Sequence, residues 1–128
     1  MSLRSPVGRV LGLGSAGEGV GHWWTQRVTS VALVLLGLWF VFSLVHLPDL
    51  AYTTLVAWLA SPVNAVLLAL LVGTSLYHSL LGVQVVVEDY VSNHGTKIVT
   101  MLVLQFLHIV LGALGIFSVL RVAFGSAQ

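Results

Sequence analysis

The 128-residue chain contains no cysteine. That removes disulfides, thiol nucleophiles and thiolate metal sites from consideration. Charge is nearly as scarce: 7% of the residues are Asp, Glu, Lys or Arg, against about 25% in an ordinary soluble domain. Such a chain cannot build the polar shell that keeps a soluble core in solution. The five basic residues are spread thinly and the formal net charge is +1. With no basic patch to hold phosphates, nucleic acid is excluded as a partner. The first 26 residues include Arg4 and Arg9 but no compact apolar stretch, so the N-terminus does not read as a secretory signal.

What remains is hydrophobic, at 58% of the chain. Three apolar runs stand out, at residues 28–47, 63–87 and 98–120. Each is as long as the roughly 20 residues that cross a hydrocarbon core of about 30 Å. Backbone groups in lipid must find their hydrogen bonds within the segment, so the runs are helices rather than strands. The sequence therefore predicts an all-α membrane protein. Residues 1–27 form an N-terminal cytoplasmic or interfacial segment, and 28–121 a transmembrane domain of three helices, near 28–47, 63–90 and 98–121; residues 122–128 form a tail. Pro62 suits the start of the second helix. In the first connection, Tyr52 and Trp58 suit a short interfacial helix at headgroup level. The second connection, with Asn93, His94 and Gly95, reads as a polar turn.

Basic residues set the orientation. Arg4, Arg9 and Arg27 precede the first helix, Lys97 lies in the second connection and only Arg121 lies towards the C-terminus. An inside N-terminus puts four of the five on the cytoplasmic side, as the positive-inside rule requires. Glu88, Asp89 and Tyr90 are then inside as well. The motif Gly12-Leu-Gly14-Ser-Ala-Gly17 matches a dinucleotide fingerprint. That reading needs a preceding strand and a parallel sheet, neither of which this chain supplies, so the glycines read as a flexible approach to the membrane.

Two histidines, His78 and His108, fall inside apolar runs. Ionisable residues there face protein or a cavity. Neutral imidazole ligates haem iron without adding charge, and it also serves simply as an interhelical hydrogen-bonding group. Asp89 follows His78 by eleven residues, three turns at about 100° per residue, so the two share a helical face about 16 Å apart. Gly82 lies on the same face and permits close approach of a flat macrocycle or a helix. Tyr90 can donate a hydrogen bond to a carbonyl and Asp89 can pass a proton, which suits reduction of a lipophilic carbonyl compound; both are also ordinary at a helix end. In His22-Trp23-Trp24-Thr25-Gln26-Arg27, the tryptophans read as anchors and Arg27 as a snorkelling cation. Alternatively, Arg27 or His22 binds a carboxylate such as a haem propionate. His108 and His78 would lie at similar depth in a hairpin of helices two and three, which makes a haem bridged within the chain sterically conceivable.

Three transmembrane helices with His78-x-x-x-Gly82 and then Asp89-Tyr90 resemble the small hydrophobic anchor subunit of succinate dehydrogenase, respiratory complex II. The segment Gly-Leu-Gly-Ser-Ala-Gly-Glu-Gly followed by His22-Trp23-Trp24-x-Gln26-Arg27 resembles its alphaproteobacterial form. The resemblance covers most of the chain. It implies a helix bundle shared with a second cytochrome b anchor subunit in a bacterial inner membrane, carrying a flavoprotein and an iron–sulfur subunit. It implies that His78 is one axial ligand of haem b, with Arg27, and more weakly His22, near the propionates. It further implies that Tyr90 and Asp89 border the ubiquinone site, and that the chain carries out no succinate chemistry itself. The anchor of a fumarate reductase, or a non-redox assembly or transport subunit, are the alternative readings.

Overall fold

The computed structural model describes residues 19–125, which form four helices: α1 (Gly19–Val45), α2 (Tyr52–Leu59), α3 (Pro62–Tyr90) and α4 (His94–Gly125). Arg4, Arg9, the glycine motif at 12–17 and the last three residues of the tail lie outside the described residues. Helices α1, α3 and α4 are 27, 29 and 32 residues long and apolar enough to cross a membrane. At 1.5 Å per residue each spans about 40 Å or more, longer than a hydrocarbon core of about 30 Å. Their ends therefore reach into the headgroup layers, and the chain is a multi-pass membrane protein.

The helices run past the apolar stretches because hydropathy marks the membrane, not the backbone. Nothing between Gly19 and Arg27 breaks a helix, so α1 begins well ahead of the apolar run at Val28. His22, Trp23 and Arg27 therefore lie in its opening turns. At the second connection, Asn93 Oδ1 accepts the backbone N–H of Thr96 at 3.0 Å, an N-cap that starts α4 before its apolar run. Lys97 thus sits in the first turn of α4, where its Nζ donates to the Glu88 carbonyl at the end of α3, at 2.8 Å.

Most polar side chains that dilute the spans are satisfied locally. Thr25 bonds the Gly21 carbonyl, Ser30 that of Gln26, Ser75 that of Leu71 and Ser118 that of Leu114, at 2.7–2.8 Å. Back-bonding to the carbonyl four residues earlier lets a hydroxyl sit in lipid without an outside partner. Such residues need no function to explain them.

Helix α3 is the centre of the bundle, packing on α1 and on α4, while α1 and α4 share no interface among the described residues. Small residues set the α3–α4 approach. A Cβ on Gly112 would stand 3.6 Å from Leu76, and one on Gly115 only 2.8 Å from Val72 Cγ1. Without a hydrophobic drive between helices in lipid, such close contact is what holds spans together.

The compact core sits at the α2 end, where Leu59, Ala65 and Val119 are buried with Leu68, Ala69 and Val122 around them. The Asn64 amide donates to the Trp58 carbonyl at 2.8 Å, tying α3 to the end of α2. The Trp58 ring stacks on Trp39 at 5.8 Å and meets Phe40 at 6.3 Å. This indole is thus half-buried against α1, whereas Tyr52 remains exposed. Ahead of α2, Asp49 accepts hydrogen bonds from the Thr54 hydroxyl and the Ala51 N–H.

Candidate functional site

The polar interior lies between α1 and α3. On α1, His22, Gln26 and Thr29 follow one another at offsets of four and three residues, the spacing of a single helical face. That face meets α3. Thr29 Oγ1 lies 2.8 Å from His78 Nδ1. A Cβ on Gly82 would stand 3.8 Å from Gln26 Nε2. The two contacts run in opposite sequence directions, as antiparallel helices require. Thr29 is the one buried polar residue among those described, so its contact with His78 is shielded from competing solvent.

Two polar atoms on this face have no partner within the described residues. His22 Nε2 and Gln26 Oε1 are both buried and unbonded. A buried donor or acceptor left unmatched costs about 1–3 kcal/mol. Two on one seam mark a place where a polar group from outside the described residues would be accommodated. His78 itself is half-buried, and its Nε2 makes no hydrogen bond among the described residues.

His108 is in a different situation. Its Nδ1 lies 2.8 Å from the Leu104 carbonyl, which can only accept, so Nδ1 carries the proton. Its Nε2 faces Ser79 Oγ at 3.4 Å. Residues 78 and 79 are about 100° apart on α3, so one imidazole is directed at the α1 interface and the other at the α4 interface. Similar depth does not bring them together, and a haem bridged within this chain is not supported. A cavity of about 280 Å³ beside His108, bounded by Tyr77, Leu80, Ile109 and Gly112, is almost wholly apolar.

The remaining sequence-derived residues make no contact in this seam. Asp89 is exposed with no hydrogen-bond partner among the described residues, and Tyr90 is 84% exposed. Neighbouring Glu88 is engaged instead, accepting from Gln84 Nε2 at 2.8 Å. Arg27 is exposed, with its guanidinium carbon 5.4 Å from the Trp23 ring centroid, a cation–π distance. It lies about 160° around α1 from Thr29 at about 100° per residue. The structure therefore joins His78, Gly82, His22, Gln26 and Thr29 along one seam and directs Arg27 away from it. The sequence reading missed Thr29 and Gln26. Their signal was the polar i, i+4, i+7 spacing that begins at His22.

The chain also has recognisable relatives. A family model described as succinate dehydrogenase/fumarate reductase transmembrane subunit matches residues 1–112. The succinate dehydrogenase hydrophobic membrane anchor subunit of Rickettsia bellii is 38% identical over 90 residues, covering 70% of this chain and 72% of that protein. The corresponding subunit of Rickettsia conorii is 37% identical over 98 residues, 76% of this chain and 78% of that one. That of Paracoccus denitrificans is 34% identical over 79 residues, 62% and 61% respectively. With three membrane-length helices and a family match over most of its length, the chain belongs to the succinate dehydrogenase/fumarate reductase transmembrane subunits, as a hydrophobic membrane anchor.

Proposed function

We propose that this chain is the small anchor of a succinate:quinone oxidoreductase, supplying one axial ligand of a b-type haem and one wall of a ubiquinone-reduction pocket. The observation that carries the reading is the state of His78: an imidazole in mid-span, bonded to Thr29 through Nδ1 and, among the described residues, without a hydrogen bond at Nε2. Among the described residues no three His, Asp or Glu side chains gather into a metal site. A single imidazole suits an iron whose other ligands come from a porphyrin and a second histidine, here from a companion anchor. The unbonded His22 Nε2 and Gln26 Oε1 fit the same group, since a propionate or its water would satisfy them. Arg27 is directed away from the seam, so it meets a propionate of that haem only by leaving Trp23 and turning towards α3. When bound, the haem supplies a one-electron redox centre within the membrane.

Tyr90 and Asp89 do the work at the inner surface. A quinone accepts two electrons and two protons to become a quinol, and succinate oxidation at the flavoprotein, relayed through iron–sulfur clusters, supplies the electrons. The Tyr90 hydroxyl donates a hydrogen bond to a quinone carbonyl and so favours the charge that develops there. Asp89, on the face of His78 and open to the aqueous side, takes protons from water and delivers them. High exposure at both residues is consistent with a pocket completed by the companion anchor and the iron–sulfur subunit. Arg27 precedes the apolar run of the first helix and Lys97 bonds the Glu88 carbonyl beside Asp89, a charge distribution that supports a cytoplasmic N-terminus.

Purification from membranes in mild detergent tests the assembly. The chain should bring with it a flavoprotein, an iron–sulfur protein and a second small anchor in equal amounts. Isolation with an unrelated transport or assembly partner would overturn the reading. A fumarate-reducing complex would share this architecture and run the electrons in reverse; it is told apart by the relative rates of succinate oxidation and fumarate reduction.

A further inference from the structure

We propose that Thr29 is a positioning residue: it holds His78 in the tautomer protonated at Nδ1, which leaves the Nε2 lone pair for a metal. Thr29 Oγ1 has three polar neighbours, the carbonyl oxygens of Thr25 at 2.9 Å and Gln26 at 3.1 Å and His78 Nδ1 at 2.8 Å. The hydroxyl owns one proton and two lone pairs, and carbonyl oxygens only accept. Its proton therefore goes back along α1 to Thr25, shared with Gln26. The contact with His78 is then a hydrogen bond only if the imidazole brings the proton. In the opposite assignment the hydroxyl points at His78. Two carbonyls then face a bare oxygen, and Nε2 carries the proton that forbids ligation.

The site holds that arrangement in place. Thr29 is 9% exposed, so water does not offer an alternative partner. Its branched Cβ and its bond within α1 restrict its rotamer. Gly82, one turn from His78, lies against Gln26 of α1. The partner of a ligating imidazole usually fixes its orientation and raises its basicity. A hydroxyl is a weaker acceptor than a carboxylate, so Thr29 orients the ring strongly and adds electron density modestly.

The inference rests on His78 as the ligand, and the experiment separates the two. Four variants are compared in the assembled complex: Thr29→Val, Thr29→Ala, Thr29→Ser and His78→Leu. The readouts are haem retained on detergent dilution, midpoint potential and the ferric low-spin signal. Thr29→Val and Thr29→Ala should weaken haem retention by about 10-fold, as loss of an outer-shell partner does. They should also shift the ferric/ferrous ratio towards ferrous by up to about 10-fold, which is 59 mV for one electron. Thr29→Ser, which keeps the hydroxyl, should return all three readouts to those of the unaltered complex. If Thr29→Val fails to assemble, Ala against Ser decides: equal behaviour overturns the role of Thr29, and a shift in Ala alone upholds it. Haem kept in His78→Leu would overturn the ligand reading and this inference with it. Haem lost in His78→Leu but unchanged in Val and Ala would overturn only the role of Thr29.

Discussion

Gln26 and Gly82 face one another across the α1–α3 interface, with 3.8 Å between the Gln26 amide nitrogen and the point where a Cβ on residue 82 would stand. That is ordinary van der Waals contact, so the gap beside His78 is filled by α1 and has room for one methyl. Gly82→Ala should fold, keep its haem and gain up to about 1 kcal/mol of helix stability. Gly82→Leu should wedge α1 from α3 and break the Thr29–His78 contact. Haem content of the purified complexes checks this. Loss of haem in Gly82→Ala would mean that another group occupies that space.

The α3–α4 interface makes a steeper prediction. A Cβ on Gly115 would meet Val72 Cγ1 at 2.8 Å, too close for two carbons, and valine has little rotamer freedom with which to retreat. Gly115→Ala should cost about 1–3 kcal/mol, as overpacking does. Adding Val72→Ala should recover most of that loss. Thermal stability of the two variants in detergent is the measurement, and additive losses in the double variant would refute the contact.

Tyr90→Phe removes only the hydroxyl that faces the quinone in the proposed pocket. It should slow quinone reduction by about 10-fold or more, the factor for one hydrogen bond to a developing charge. Succinate oxidation by artificial dyes should be spared. Parallel losses in both assays would point to failed assembly rather than to the pocket.

Outside the membrane, the Thr54 hydroxyl and then the Ala51 N–H hold the Asp49 carboxyl below its ordinary value, against a small opposing effect of desolvation. A carboxylate lowered on folding contributes stability that is present above its unfolded value and fades as pH falls through its folded one. The entry to α2 should therefore loosen only in acid, below the usual carboxylate range. Hydrogen exchange at Ala51 and Thr54 against pH follows this directly. Asp49→Asn should flatten the dependence.

The three spans were legible because lipid imposes a single pattern, long apolar runs, on any helix that crosses it. Where helices begin was less legible. Asn93 and the unbroken stretch from Gly19 to Arg27 extend helices through residues that hydropathy leaves out. His78 stood out as an ionisable group in an apolar run. Thr29 did not, since a threonine in a span is usually satisfied by its own helix, as Thr25 is. Only the packing of α1 on α3 separates the two. Likewise, the shared depth of His78 and His108 was readable, but not that His78 turns to Thr29 on α1 while His108 on α4 faces Ser79 on α3.

The ligand role of His78 is the claim on which the rest depends, and one spectrum tests it most directly. The dithionite-reduced minus oxidised difference spectrum is recorded for the purified complex carrying either His78 or His78→Leu, at equal amounts of the anchor. A b-type absorption is expected in the first and its loss in the second, with the partner subunits still attached. A His78→Leu complex with undiminished b-type absorption, or an unaltered complex with none, would contradict that role.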